Sequence, residues 1–235
     1  MYAVALTSIP PRLNRLRPVL DSILFQRPAP DRVILCLPRT WARFTAVAAA
    51  PELPEGVELL TAEADFGPAT KAIVPARMLC GTVGRLIYCD DDWLMPPGWA
   101  ARLMAAQRPG EAVAATGFDV ARLKRHGHRP RNQDAGFADI AQGYSGVLVD
   151  PRWFCLPDIS PPPGAWPVDD VWLSGQLARQ DIPVRLAPAA RAGLKPAFSD
   201  KHALQDTVVG GWSRDAANRA CCDVLTARYG IWPRA

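Results

Sequence analysis

Short apolar runs alternate with helix-patterned segments through the first half of the chain, and this alternation restricts the fold more than any other feature. Residues 2–7, 32–37, 57–60 and 85–89 read as strands. Helices are expected from about Leu16 to Gln26, from the Asp65-Phe66-Gly67-Pro68 turn to about Leu79, and from Pro97 to about Gln107. Pro18 suits a first helical turn, whereas Pro75 falls inside the second helix and is expected to kink or divide it. Alternation of this kind predicts an α/β fold, a mainly parallel sheet with helices on both faces. In open sheets of that type, ligands bind beyond the carboxyl ends of the strands.

The second half is less regular. Strands are expected at Ala112–Phe118, Gly143–Val149 and Pro183–Ala187, and a tail helix at about Arg214–Arg228. Ser160-Pro161-Pro162-Pro163-Gly164 reads as a rigid loop leading to Trp166-Pro167-Val168-Asp169-Asp170, where a helix to about Arg179 begins. The 235 residues suit a single domain, 1–235, with halves at 1–110 and 111–205 and a tail at 206–235.

The net charge of +4 is small and scattered, and the basic stretch 124–131 has no interleaved aromatic residues, so nucleic acid is not an expected partner. An anionic ligand, or weak peripheral membrane association, fits that charge better. No apolar run approaches the roughly 20 residues of a membrane helix, and the N-terminus leads directly into a strand without a leader pattern. A cytoplasmic location is therefore expected. The six cysteines lack metal-site spacing and read as reduced, mostly buried thiols.

The chemistry concentrates in acidic clusters. Leu86-Ile87-Tyr88-Cys89 runs straight into Asp90-Asp91-Asp92. Adjacent carboxylates at a strand's end repel one another unless a cation or hydrogen-bond donors offset them. Such oxygen ligands suit Mg²⁺ or Mn²⁺, and a solvated acidic turn is the alternative. At Asp169-Asp170 one carboxylate is expected to cap the helix, leaving the other as a general base toward a hydroxyl. Phe66-Gly67-Pro68-Ala69-Thr70-Lys71 opens a helix where Lys71 and free backbone donors would meet a phosphate or sugar; as a plain helix start, Lys71 would lie on the exposed face. His202 is either a solvated loop residue or an imidazole ligand for Mn²⁺. His126 and His128, among arginines, point to solvent or phosphate rather than metal. Of the eight tryptophans, Trp93, Trp166, Trp172 and Trp212 flank these motifs, and Trp166 in its Pro-rich loop is the candidate for acceptor contact.

The order of Thr7-Ser8-Ile9-Pro10, Asp90-Asp91-Asp92, Gly143–Val149 and Asp169-Asp170-Val171-Trp172 resembles the GT-A-fold glycosyltransferases, in a divergent family-two-like form, over roughly residues 2 to 205. Asp90 and Asp92 match the family's Asp-x-Asp signature. The resemblance implies a GT-A-like, Rossmann-type sheet, with a nucleotide-sugar donor (UDP-linked by expectation) bound by residues 1–110 and a glycan or lipid-linked acceptor by 111–205. It implies that Asp92 holds Mn²⁺ or Mg²⁺ on the donor diphosphate, with His202 completing the metal shell. Asp90 would reach the ribose, or the metal through water, and Asp91 would lie beside it on the donor. Asp170 or Asp169 would be the base of an inverting reaction, and Thr7 and Ser8 would lie against the nucleotide. One place departs from the family: Leu37-Pro38-Arg39-Thr40 stands where an Asp-Gly-Ser type motif contacts the base, which leaves Asp65 as the substitute. Two other readings share these features. A nucleotidyltransferase would carry a glycine-rich loop where Ser8-Ile9-Pro10-Pro11-Arg12 stands, and a non-catalytic carbohydrate-binding relative would keep the fold alone.

Overall fold

The computed structural model describes residues 1–45, 51–125, 136–204 and 207–234. In chain order its elements begin with β1 (Ala3–Thr7), α1 (Arg17–Leu24), β2 (Arg32–Pro38), β3 (Val57–Ala62), α2 (Thr70–Leu79) and β4 (Leu86–Tyr88). There follow β5 (Trp93–Leu94), α3 (Trp99–Ala106), β6 (Ala112–Ala114), β7 (Gly117–Phe118), β8 (Phe137–Ala138) and β9 (Ile140–Ala141). The last are β10 (Val147–Val149), α4 (Asp169–Ala178), β11 (Val184–Leu186), α5 (Pro188–Arg191), β12 (Lys195–Pro196) and α6 (Arg214–Tyr229).

An eight-stranded sheet in the order β3-β2-β1-β4-β10-β6-β11-β8 forms the centre. β3, β2, β1 and β4 are mutually parallel, β6 and β11 are parallel to each other, and β10 and β8 run against their neighbours. β1, β2 and β4 are buried on both faces, because alternate side chains point to opposite sides and helices cover each side. Ala3, Ala5, Leu86 and Tyr88 face α2, α4 and α6, whereas Val4, Leu6, Ile87 and Cys89 face α1, α3 and α5. Ala69, Ala72 and Ala76 let α2 lie close to the first face. None of the described helices is long and apolar enough to cross a membrane.

β1 lies between β2 and β4, so the chain turns one way after β1 and the other way to reach β4. The carboxyl ends of β1 and β4 therefore flank the crevice where open α/β sheets take ligands. β10, running antiparallel to β4 with Val147 opposite Tyr88, begins at that same edge. Thus Ser8, Asp90–Asp92 and the turn before β10 converge.

Several expectations change. The strand expected at 112–118 is two strands in different sheets, β6 and β7, because Gly117 crosses so close to β9 that a Cβ would lie 2.6 Å from the Ile140 carbonyl oxygen. Residues Gly143–Ser145 form a 3-10 turn rather than the start of a strand, and Gly146 follows at φ +97. α2 continues undivided through Pro75, its Ala72, Ile73, Ala76 and Leu79 held in the core. All six cysteines are free, with Cys36, Cys89, Cys221 and Cys222 buried, Cys155 partly so and Cys80 exposed. His126 and His128, with most of the basic stretch, lie outside the described residues.

Candidate active site

A cleft of about 750 Å³ opens at the carboxyl ends of β1 and β4. The structure brings every site residue expected from the sequence onto it. Thr7, Ser8 and Asp65 line one part, Asp90, Asp91 and Asp92 its floor, and Lys71, Trp166, Asp169, Asp170 and His202 the remainder.

Two buried cations organise these acids. Lys71, in the first turn of α2 and 1% exposed, places its Nζ 2.5 Å from Asp90 and 2.6 Å from Asp169. It is thus an interior ion pair, not a surface lysine on the outer face of α2. Burial acts to lower its pKa, but Asp169 and Asp90 outweigh it and hold the ammonium charged. Arg12, in the 3-10 turn Pro10–Arg15 after β1, reaches Asp91 at 2.6 Å, Asp200 at 2.7 Å and Asp92 at 3.3 Å. Asp91 also accepts the Ser8 hydroxyl at 2.5 Å. Its buried carboxyl is raised by burial, with Arg12 and Ser8 opposing. Asp91 therefore anchors the loop after β1 rather than facing the cleft freely.

That leaves Asp92 and Asp170. Asp92 keeps a quarter of its side-chain surface (26%) exposed and, among the described residues, pairs only with Arg12, at 3.3 Å. Burial, then the charges of Asp90 and Asp91, push its carboxyl up to about 7. Asp170, partly exposed on the cleft, accepts the Gly143 N–H at 2.8 Å. Burial, then Asp169, push it too up to about 7. Neither Asp169 nor Asp170 caps α4, contrary to expectation: the N-cap is Val168 with no side-chain bond, and both acids sit in the first turn. Their carboxylates turn toward Lys71 and Gly143 instead. Gly143 keeps this approach close: a Cβ would lie 3.0 Å from Lys71 Nζ and 3.3 Å from the Asp170 carboxylate, so both side chains would have to shift by a few tenths of an ångström to admit one.

The other expected residues are tied locally. Thr7 donates its hydroxyl to the Cys36 carbonyl at 2.7 Å. Asp65 accepts backbone N–H groups from Ala42 at 2.7 Å and Gly67 at 2.8 Å, joining the loop after β2 to the turn before α2. Trp166 donates its indole N–H to the Asp65 carbonyl at 3.0 Å and packs on Gly67, where a Cβ would meet its ring at 2.8 Å. His202 meets the Phe44 ring edge-on at 5.8 Å, and its carbonyl accepts from Arg43.

Sequence reasoning missed Arg12, Trp41, Phe44, Tyr144, Asp200 and Arg214, all of which line the cleft. Trp41 donates to the Ser8 carbonyl at 3.0 Å, which holds its indole beside β1. Trp93 and Tyr144 meet at 5.0 Å between ring centroids. A strap from β12 to Asp200 crosses the acidic turn: β12 pairs with β5, and the Ala197 N–H donates to the Asp92 carbonyl at 2.8 Å. Only Arg12 offered a signal, as a cation in the loop after the first strand.

The donor set suits a hard cation, with carboxylate oxygens in excess of the basic groups paired to them. Among the described residues no three His, Cys, Asp or Glu side chains enclose a metal by themselves. A fit therefore requires a cation that takes one or two carboxylates and completes its shell with phosphate and water, as Mg²⁺ does.

This architecture is the GT-A-type, Rossmann-like α/β fold. It is shared with glucosyl-3-phosphoglycerate synthase from Mycobacterium tuberculosis, in two complexes. One, with Mn²⁺, UDP-glucose and phosphoglyceric acid, aligns at TM-score 0.51 and 13% identity over 100% of this chain and 87% of that one. The other, with Mn²⁺, UDP and glucosyl-3-phosphoglycerate, aligns at 0.50 and 15% over 98% and 80%. The crystal structure of a mycobacterial protein aligns at 0.52 and 14% over 98% and 75%. No protein-family model matches the sequence, and no curated protein matches it significantly.

Proposed function

We propose that this chain is a metal-dependent glycosyltransferase that moves a sugar from a nucleoside diphosphate donor to an acceptor hydroxyl. The observation that carries this reading is the pairing pattern of the acids. Lys71 is shared between Asp90 and Asp169, and Arg12 pairs with Asp91 and Asp200, while Asp92 and Asp170 remain on the cleft without a dominant basic partner among the described residues. One suits a metal and the other suits a proton. The Mn²⁺ and UDP of the structurally similar synthase support the choice of UDP and of Mn²⁺ over Mg²⁺.

In this reading Asp92 holds the cation, with His202 the remaining ligand on the cleft wall and Asp90 near the ribose. When bound, the cation would neutralise the departing diphosphate as a Lewis acid. Asp170 takes the proton of the acceptor hydroxyl, the role that Asp169, paired to Lys71, is less free to perform. Attack on the anomeric carbon from the side opposite the diphosphate inverts its configuration. Trp41 and Phe44 offer the base the stacking surface that the absent acidic motif after β2 does not supply, next to Thr7, Ser8 and Asp65. Trp166 offers an apolar face to the acceptor.

The test is a thermal-shift series with UDP, GDP, CDP and dTDP, each with Mn²⁺ or with EDTA, followed by an assay for nucleoside diphosphate release. Binding to the native state alone raises stability by mass action. The expected result is a Mn²⁺-dependent shift with UDP that Asp92→Ala removes. Absence of a shift with every nucleotide would remove the basis of this reading, and release of pyrophosphate in place of UDP would favour a nucleotidyltransferase.

A further inference from the structure

Arg12 and Lys71 are committed to carboxylates, but another basic residue of the cleft is not. Arg214 is half-buried on the cleft wall. It makes one hydrogen bond, from Nη1 to the Pro167 carbonyl at 2.8 Å, and no ion pair among the described residues. A guanidinium has five N–H donors in a planar fork, so most of its capacity is unused. Its position is not explained by its helix, because a cation in the first turn of α6 opposes the helix dipole. Its bond to Pro167 holds it beside the loop that carries Trp166, and its charge acts on Asp170, opposing the upward push of burial there. A cation with free donors thus lines the same cleft as the carboxylate assigned to take the acceptor's proton.

We infer that Arg214 binds an anionic group of the acceptor, so that the acceptor is a hydroxyl compound carrying a carboxylate or phosphate rather than a neutral sugar. The planar fork matches two oxygens of either group, and the anion would be held on the same wall as Asp170 and Trp166. This inference rests on the glycosyl-transfer reading of the cleft. Its rival is that Arg214 merely fastens the Pro167 loop to α6.

Glucose, glucuronate and glucose 6-phosphate share a ring and differ in charge, and they serve as probes in thermal-shift titrations of the full chain with UDP and Mn²⁺ present. Glucuronate or glucose 6-phosphate is expected to raise Tm where glucose does not, and the comparison of the two separates carboxylate from phosphate. Arg214→Gln should weaken the anion about tenfold or more, the loss of a charge-assisted bond. Arg214→Lys should recover part, since it keeps the charge without the fork. If Arg214→Gln does not fold, the Lys variant decides, because its affinity for the anion must fall below that of the native chain. An equal shift with glucose overturns the inference, as does an anion shift unchanged in the Arg214 variants. So does the absence of any probe shift in a protein that UDP and Mn²⁺ stabilise. Failure of UDP and Mn²⁺ to stabilise, with an Arg214-dependent anion shift retained, would instead sink the glycosyl-transfer reading and leave the anion site standing.

Discussion

Replacing Lys71 by Met keeps most of the length of the side chain and removes the charge that joins α2, the turn after β4 and α4. The magnitude follows from burial: the Lys71 side chain is 2% exposed and that of Asp169 6%, whereas Asp90 keeps 36%. Removing one partner of a buried ion pair costs about 3–5 kcal/mol, because the other charge is left without compensation. Asp90 can rehydrate and adds little, which sets the expectation for Lys71→Met near the lower end, about 3 kcal/mol. For a domain of this size that lowers Tm by roughly 6–12 °C. The deficit should also depend on pH. Without Lys71, Asp170 loses the cation that opposes its upward shift, so its folded pKa moves further above the unfolded value near 4. A carboxyl raised in the folded state binds its proton there first, so the variant recovers stability as pH falls. The gap between native chain and variant should be widest near pH 8 and narrow toward about pH 5. Urea denaturation across that range measures it, with Lys71→Met combined with Asp169→Asn restoring most of the loss. A deficit below about 1 kcal/mol, or one that does not change with pH, would refute the bridging role.

Asp170→Asn should lower transfer by about 10²–10⁴-fold, the range for loss of a general base, while the UDP and Mn²⁺ thermal shift persists. The base acts ionised and its carboxyl is raised to about 7, so kcat/KM should climb with pH through that value and level above it. A flat profile between about pH 5 and 8 would contradict the assignment. Gly146→Ala should destabilise the chain by about 2–5 kcal/mol in chemical denaturation, combining left-handed strain with overpacking. At φ +97 its Cβ would lie 2.3 Å from the ring of Trp99, which is fully buried and donates to the Ser145 carbonyl at 2.7 Å.

The alternation of apolar runs was enough to place the parallel strands β1 to β4 and the helices between them, because strand burial on both faces leaves a local mark in the sequence. It was weaker in the second half. There β8 and β9 span two residues each, and β6 and β7 separate at Gly117, whose need to lack a side chain comes from the distant Ile140. No local pattern announces a contact made across the fold.

The site divides along the same line. The sequence by itself determined where Asp90, Asp91 and Asp92 gather, since a run of carboxylates after a buried strand falls at the ligand-binding edge of any parallel sheet. It also determined that Asp169 and Asp170 open a helix. Only the tertiary structure decided how those charges are apportioned. Lys71 lies 19 residues from Asp90 and 98 from Asp169 in the chain, and Arg12 lies 79 from Asp91 and 188 from Asp200. Which acid is neutralised depends on which cation the packed helices and loops bring within about 3 Å. Coulombic pairing follows distance in space, and the chain's order carries no record of that distance.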